Sequence, residues 1–296
     1  MNLVIGATGF LGNEICRQLA EQGKPVRALV RHTSDQAKVD ALKGYGVGIA
    51  QGNVRDRASL DAACRGVTAV ISTISSMPMS YQPEENNIQT VDIDGVTNLI
   101  HAAKAAGVKQ FIYTSFSGQI DRDFPLRNAK RTVEQRLKES GLTYTILRPS
   151  YFMEVWLSPS VGFDYVNANV RVYGAGHNPI SWIAIRDVAQ FAVISLENPA
   201  ARNATLEMGG PEALSPLQVV KIFEEVSGKS FKTEYVPVAA LEEQQKGATD
   251  PMQQSFAALM QCYAQGDAIN MQTTLRVFPL HLTSVKEYAK RGLKRT

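Results

Sequence analysis

The sequence is short of several features that mark particular classes of protein. It contains only three cysteines, an odd number set far apart at Cys16, Cys64 and Cys262. They are predicted to be buried apolar thiols in a reducing compartment, not a disulfide framework. Net charge is also small, at +3, and divides into +4 for residues 1–150 (18 basic, 14 acidic) and −1 for residues 151–296 (13 basic, 14 acidic). This balance is too even for a nucleic-acid-binding face.

Long apolar runs are missing too. The longest uncharged stretch, residues 66–83, contains several serines, threonines and prolines and is poorly suited to crossing a bilayer. The chain opens on a short strand-like segment that reaches glycine at residue 6, so we expect no targeting peptide. We therefore expect a cytoplasmic protein, monomeric or homodimeric, that binds neither nucleic acid nor membrane.

Two hydrophobic periods alternate through residues 1–150. Short apolar runs typical of buried strands alternate with segments of helical period, the longest of them over residues 86–106. Six strands are predicted, at residues 3–5, 26–30, 47–50, 67–74, 108–114 and 143–147. This alternation indicates right-handed crossovers, and hence an α/β fold with a Rossmann-like, doubly wound parallel sheet in the order 3-2-1-4-5-6.

After residue 150 the elements become shorter and turn residues denser. We predict that residues 1–150 form a nucleotide-binding domain and that residues 151–296 form mainly a smaller α+β region that binds substrate. Within the second region, residues 181–185 are predicted as a seventh strand and residues 186–196 as a helix. The segment 181–197 would thereby return to the first sheet.

The most specific motif is a glycine triplet at Gly6, Gly9 and Gly12, directly after the first strand and at the start of the first helix. Glycine permits a tight turn and a close approach of the backbone to a pyrophosphate, and the helix N-terminus favours the anion. We therefore predict a dinucleotide site here, to which Thr8 and Phe10 belong with Leu11. The alternative is a tight turn with a packing role alone.

The end of the second strand indicates which dinucleotide is bound. An NAD site usually has an acidic residue there, whereas an NADP site has a cation for the 2′-phosphate. This strand ends in Arg31, followed by Thr33, with no carboxylate before Asp35. The sequence therefore favours NADP(H), the alternative being a solvated arginine. After the third strand, Asn53 and Val54 are either adenine contacts or parts of an ordinary strand-to-helix turn.

These motifs resemble those of atypical short-chain dehydrogenases/reductases, and most closely the NmrA-like, isoflavone-reductase-like group. Besides the glycine triplet, Arg31 and Asn53, the matching segments are 107–115, 141–149, 185–189, Lys130-x-x-Val133-Glu134 and a late Phe278-Pro279. The resemblance runs over essentially the whole chain and implies NADP(H) as cofactor. It is specific for fold and cofactor and weak for substrate.

The resemblance also implies a role for Lys130. The superfamily's catalytic pair is Tyr-x-x-x-Lys, and Lys130 occupies the lysine place, but Leu126 stands where the tyrosine would be. Lys130 is expected to bind the nicotinamide ribose and to stabilise negative charge in the reaction, the alternative being a solvated lysine. Another group must then handle the substrate proton.

Candidates for that second group follow the carboxyl ends of strands, where open α/β sheets place their ligands. They are Tyr81, Ser115 (or Ser117) and Tyr151, and no spacing distinguishes among them. Pro149 and Phe152 are implied to lie beside the nicotinamide. The predicted cofactor contacts are thus Gly6, Thr8, Gly9, Phe10, Leu11, Gly12, Arg31, Thr33, Asn53, Val54, Thr73, Lys130, Pro149 and Phe152. No metal site is predicted.

Candidates for a substrate pocket are apolar and aromatic rather than charged. They are Met77, Met79, Phe152, Met153, Trp156, Phe163, Tyr165, Trp182 and Met260, although many of them could simply be core. We therefore expect an NADPH-dependent reductase that acts on a C=C, C=O, imine or quinone-like group in a small apolar, conjugated or aromatic molecule. The alternatives are a non-catalytic NADP(H) sensor that binds a partner protein and, less favoured, a nucleotide-sugar epimerase or dehydratase.

Overall fold

A computed structural model describes residues 1–77 and 80–293. The strands of the first half are β1 (Asn2–Ile5), β2 (Val26–Val30), β3 (Gly48–Gln51), β4 (Ala69–Ser72), β5 (Gln110–Thr114) and β6 (Thr143–Pro149). The helices between them are α1 (Phe10–Glu21), α2 (Gln36–Gly44), α3 (Arg57–Ala63), α4 (Val96–Ala105) and α5 (Pro125–Glu139). The predicted alternation of strand and helix is confirmed.

These strands and one later strand, β9 (Ala204–Met208), form a seven-stranded sheet in the order β3-β2-β1-β4-β5-β6-β9. The first six are in the predicted order, and each neighbouring pair among them is parallel. Every residue of β4 and β5 is buried, as are Leu3, Val4 and Ile5 of β1. Such burial is typical of a parallel sheet with helices on both faces. The predicted doubly wound α/β fold is therefore confirmed.

The predicted seventh strand is wrong. Residues 181–185 form only an isolated bridge, from Ile183 to Phe152, and β9 takes the seventh place in the sheet. The five residues are almost fully buried, and burial alone gives the same apolar pattern in a strand and in a packed connection. The following helix is confirmed as α7 (Ile185–Ser195).

The long helix predicted over residues 86–106 is two segments of different coiling. Residues Ile88–Gly95 form a π-helical segment, which continues directly as α4. A capping box at Asn87 fixes its start, since the Asn87 side chain accepts from the backbone of Thr90 and the Thr90 hydroxyl accepts from the backbone of Asn87. The buried residues Val91 and Val96 are five positions apart in the sequence, a spacing that matches the wider turn of a π-helix.

The second half is built from shorter elements. They are α6 (Met153–Trp156), β7 (Phe163–Asp164), β8 (Asn169–Tyr173), α8 (Pro216–Ser227), β10 (Lys232–Val236), α9 (Val238–Gly247), α10 (Pro251–Gln265), α11 (Gln272–Val277) and α12 (Val285–Leu293), with 3-10 turns at Pro159–Val161 and Pro199–Ala201. β10, β8 and β7 form a small sheet in that order, in which β8 is parallel to β10 and antiparallel to β7.

The chain divides into two compact units. The first unit consists of Met1–Ser115, Asn128–Leu147 and Val188–Leu206. The second consists of Phe116–Arg127, Arg148–Asp187 and the chain from Glu207 onward. That the second region binds substrate remains a prediction. None of the helices within residues 1–77 and 80–293 combines the length and apolar character needed to span a bilayer.

Candidate functional site

The glycine triplet forms the turn between β1 and α1 in the first unit. Gly6 has a φ of +82°, and the amide of Gly9 donates to its carbonyl at 2.9 Å. A Cβ on Gly12 would lie 2.3 Å from the Gly6 carbonyl oxygen and 2.9 Å from the Cα of Ala7. Because the obstructing atoms belong to the backbone, only glycine permits α1 to start this close to the turn.

The start of α1 is suited to an anion. Gly9 is the N-cap and offers no side-chain hydrogen bond to the first turn, and Phe10 is 66% exposed. The amide groups of this turn are therefore available to a ligand, and the helix dipole favours negative charge. Thr73 directly follows β4, and its hydroxyl donates to the carbonyl of Ile5, the last residue of β1, at 3.1 Å.

Arg31 stands at the end of β2 with a half-buried side chain. Across residues 1–77 and 80–293, no hydrogen bond or ion pair engages its guanidinium group, whereas its backbone is fixed by two bonds with Ser34. The nearest following carboxylate, Asp35, is used to cap α2, where it accepts from the amide of Ala37 at 2.9 Å. A cation without an acidic competitor thus follows β2, and Thr33 beside it is exposed.

The loop after β3 is tightly organised. Asn53 Oδ1 accepts from the amide of Arg55 at 3.1 Å, and both backbone groups of Asn53 bond to Ser59. Val54 is buried, and a Cβ on Gly95 would lie only 2.6 Å from its side chain. Val54 thus packs against Gly95, and its role as an adenine contact stays a prediction. Asn53 is half-buried in the turn and remains a candidate.

Lys130 is inside the first unit, not in solvent. Only 3% of the residue is exposed, and its Nζ donates to the carbonyl oxygen of Ile74 at 3.2 Å, just beyond β4. Nζ also lies 3.5 Å from Asp92 Oδ1 and 5.4 Å from the centre of the Tyr113 ring. Burial lowers the pKa of the Lys130 ammonium, and the charge of Asp92 opposes that change. The alternative interpretation, a solvated lysine, is therefore wrong.

The candidate proton-transfer residues are in different environments. Ser115, just after β5, is buried and its hydroxyl oxygen accepts from Arg131 at 3.3 Å, which leaves its O–H able to donate. Tyr81 is half-buried after β4. Tyr151 is 2% exposed, and its hydroxyl donates to the carbonyl of Leu259 at 3.2 Å within the second unit. Tyr151 is thus packed inside the second unit, and its catalytic role stays a prediction.

The aromatic candidates for a substrate pocket include a genuine core cluster. In the second unit Tyr151, Trp156, Trp182 and Tyr263 have ring centres 4.8 to 6.4 Å apart. Met153, Phe163 and Trp182 are buried. The half-buried candidates are Met77, Phe152, Trp156, Tyr165 and Met260, and Met79 lies outside the described residues. Pro149, predicted to lie beside the nicotinamide, ends β6, and its carbonyl accepts from the amide of Ser117 at 3.1 Å.

The second unit contains a buried acid that no sequence motif indicated. Asp267 is 1% exposed and its Oδ1 accepts from the Ser117 hydroxyl at 2.7 Å. Burial raises the pKa of Asp267 to about 6, although hydrogen bonds from Ser117 and Ser150 oppose the change. Ser117 and Asp267 are 150 positions apart, so no local spacing could have linked them.

This acid makes stability depend on pH. Because its pKa is raised from 3.8 to about 6 on folding, the native state holds the proton more tightly, and ionisation costs stability as pH rises through that window. We expect Asp267→Asn to match the wild-type free energy of unfolding near pH 4 and to exceed it by about 2–3 kcal/mol at pH 8. Urea unfolding across this pH range is the measurement. A difference between the two proteins that stays constant with pH would contradict the assignment.

The comparisons with known proteins agree with this architecture. An NAD(P)H azoreductase from Xenophilus azovorans is 32% identical over 272 residues, which cover 89% of this chain and 86% of that protein. Photosystem II assembly factor Ycf39 from Synechocystis sp. is 32% identical over 241 residues, which cover 81% of this chain and 71% of that protein. The crystal structure of an NADPH-dependent quinone oxidoreductase from Escherichia coli, complexed with NADPH, matches at a TM-score of 0.79 with 24% identity and covers 99% of this chain and 100% of that one.

The family predicted from the motifs is confirmed over nearly the full length. A model of the NmrA-like family matches residues 2–289, from the first residue of β1 into α12. The match includes the glycine turn, Arg31, Asp92 and Lys130. The chain therefore belongs to the NmrA-like family.

Proposed function

We propose that this protein is an NADPH-dependent reductase of a small apolar, conjugated or aromatic acceptor. The reducible group is a C=C, C=O, imine or quinone-like bond, and the azoreductase relative adds an azo bond to that class. The observation that carries the proposal is Lys130, a buried ammonium held just beyond the carboxyl end of β4. Ligands of open α/β sheets bind at that edge, and a cation there stabilises negative charge that develops on an acceptor.

The residues of the first unit fit NADP(H). The glycine turn leaves no room for a Cβ at Gly12, and the uncapped start of α1 offers amides to the pyrophosphate. Arg31 is placed to hold the 2′-phosphate, and Thr33 adds a hydroxyl beside it. When bound, NADPH supplies the hydride for the reduction. Lys130 supplies positive charge, and Ser115 or Tyr81 supplies the proton.

Turnover with acceptors is the direct test. The purified protein is given NADPH and, separately, an azo dye, a quinone, an enone and an imine, and loss of the reduced nicotinamide absorbance is followed. We expect oxidation of NADPH with at least one acceptor and a reduced product identified by mass spectrometry. Tight binding of NADPH without turnover of any acceptor would overturn the reductase proposal. We also propose that the protein is cytoplasmic and that it is a monomer or a homodimer.

The relatives named as assembly factors favour a second candidate, an NADP(H)-binding protein that holds a partner protein without turnover. The chain carries Leu126 where the superfamily tyrosine would stand, and that side chain is fully buried. This candidate predicts tight NADP(H) binding in the same turn, no turnover, and an affinity for the partner that differs between NADP+ and NADPH. The acceptor panel therefore separates the two candidates.

Arg31→Ala tests the cofactor preference. Because the Arg31 guanidinium is proposed to bind the 2′-phosphate, its loss is expected to weaken NADPH binding about 10- to 100-fold, the range for a charge-assisted hydrogen bond. Binding of NADH, which lacks that phosphate, should change less than twofold, about the scatter of such a measurement. Both dissociation constants are measured by calorimetry, with Arg202→Ala as control, an exposed arginine of the same unit. Equal loss for both nucleotides would show that Arg31 does not bind the phosphate.

A further inference from the structure

The π-helical segment before α4 places a carboxylate in the interior. Asp92 is fully buried, whereas its neighbour Ile93 is half-buried and Asp94 is exposed. In this segment the acid, not the isoleucine, takes the inward position. Buried carboxylates are rare without a partner, and π-helical turns are frequent at functional sites. The arrangement therefore calls for a specific contact that uses the carboxylate.

The two oxygens of Asp92 have different partners. Oδ2 accepts from the amide of Ser76 at 3.0 Å and from its hydroxyl at 2.5 Å, and Ser76 is itself fully buried. Oδ1 has no hydrogen-bond partner among residues 1–77 and 80–293, and it lies 3.5 Å from Nζ of Lys130. Ser76 thus fixes the carboxylate through one oxygen, so that the other faces the ammonium.

The remaining groups around Lys130 do not replace this contact. The carbonyl of Ile74 and the ring face of Tyr113 are uncharged. Glu134 lies one turn further along α5, but its carboxylate is engaged by Arg131 at 2.7 Å. Asp92 is therefore the carboxylate that acts most directly on the ammonium, since its Oδ1 lies 3.5 Å from Nζ.

We infer that Asp92 is the positioning residue for Lys130: it holds the ammonium at the carboxyl end of β4 and keeps it charged despite burial. Ser76 supports it by fixing the carboxylate. The inference rests on the proposed function, since it assigns Asp92 to the group that we propose stabilises the acceptor. It adds a residue that neither the glycine turn nor the lysine motif identifies.

The direct test is the titration of Lys130 itself. The protein is labelled with [ε-13C]lysine, the Lys130 resonance is assigned by its absence in Lys130→Met, and its shift is followed with pH. In the wild type Lys130 is expected to remain charged at pH 8. In Asp92→Asn the midpoint should fall by about one unit or more, the usual effect of losing an adjacent opposite charge. Asp94→Asn, an exposed neighbour in the same segment, is the matched control and should leave the midpoint unchanged.

Kinetics provide the second readout. With an acceptor from the panel, Asp92→Asn is expected to lower kcat about tenfold or more at pH 8. As the pH rises, the activity of Asp92→Asn should begin to fall at a lower pH than that of the wild type. The reason is that the reaction requires the charged form of Lys130, which this variant loses earlier. Asp94→Asn should retain the wild-type profile.

Three outcomes overturn the inference: a neutral Lys130 at pH 8 in the wild type, an unchanged midpoint in Asp92→Asn, or an unchanged pH profile in that variant. The wild-type titration stands even if Asp92→Asn fails to fold. The titrations need no acceptor. If no acceptor is turned over, the proposed function fails, but the titrations still decide whether Asp92 positions Lys130.

Discussion

Replacing Lys130 with methionine is expected to lower kcat/KM of the reductase about 100- to 1000-fold, the range observed when one group that stabilises a developing negative charge is removed. Methionine keeps the length and most of the apolar stem but removes the ammonium that lies between Ile74 and Asp92. The dissociation constant of NADPH should rise much less, because the glycine turn and Arg31 are unchanged. Initial rates and calorimetric binding measure the two effects separately.

The substitution also changes stability, and that effect needs its own control. Without the ammonium, Asp92 is a buried charge with no opposite charge beside it, which typically costs about 3–5 kcal/mol. The double variant Asp92→Asn with Lys130→Met removes both charges and is expected to be more stable than the lysine variant alone while remaining inactive. Lys138→Met, an exposed lysine of α5, should keep full activity and stability. A Lys130→Met protein that is folded and turns over at the wild-type rate would remove Lys130 from the reaction.

The features predictable from the sequence were those set by local spacing. The order of the first six strands followed from short apolar runs that alternate with segments of 3.6-residue period, because right-handed crossovers leave few arrangements of such a chain. The glycine turn was predictable for a similar reason: three glycines in a strand-to-helix connection are required by the backbone itself, as Gly12 shows. Arg31 was singled out by the absence of an acid at a defined position, and its contact with the 2′-phosphate stays a prediction.

The features that the sequence missed depend on contacts between distant residues. Residues 181–185 have the more apolar sequence, yet residues 204–208 form the strand that lies beside β6 and completes the sheet. Asp92 lies in a helical pattern in which an acid is normally exposed, although the five-residue step from Val91 to Val96 could have indicated the π-helical segment. Asp267 meets Ser117 only through folding.

Gly12→Ala is expected to have the largest effect on cofactor binding. The added Cβ would lie 2.3 Å from the Gly6 carbonyl oxygen and 2.7 Å from its carbon, and neither atom is at the end of a flexible side chain. The start of α1 must therefore move away from the turn, and the amides that we propose bind the pyrophosphate move with it. We expect NADPH binding to weaken about 100-fold or more, the cost of losing two charge-assisted contacts.

A matched glycine makes this test specific. Gly44 ends α2, and a Cβ there would meet no atom within 4 Å. Gly44→Ala is expected to leave NADPH binding unchanged and to raise stability by about 0.4–1 kcal/mol, because alanine restricts the unfolded chain more than glycine does. Gly12→Ala should instead lower stability by about 1–3 kcal/mol, as overpacking usually does. Calorimetry and thermal unfolding of the two variants give both quantities. If Gly12→Ala bound NADPH as tightly as Gly44→Ala, the turn between β1 and α1 could not be the pyrophosphate site, and the cofactor assignment would fail with it.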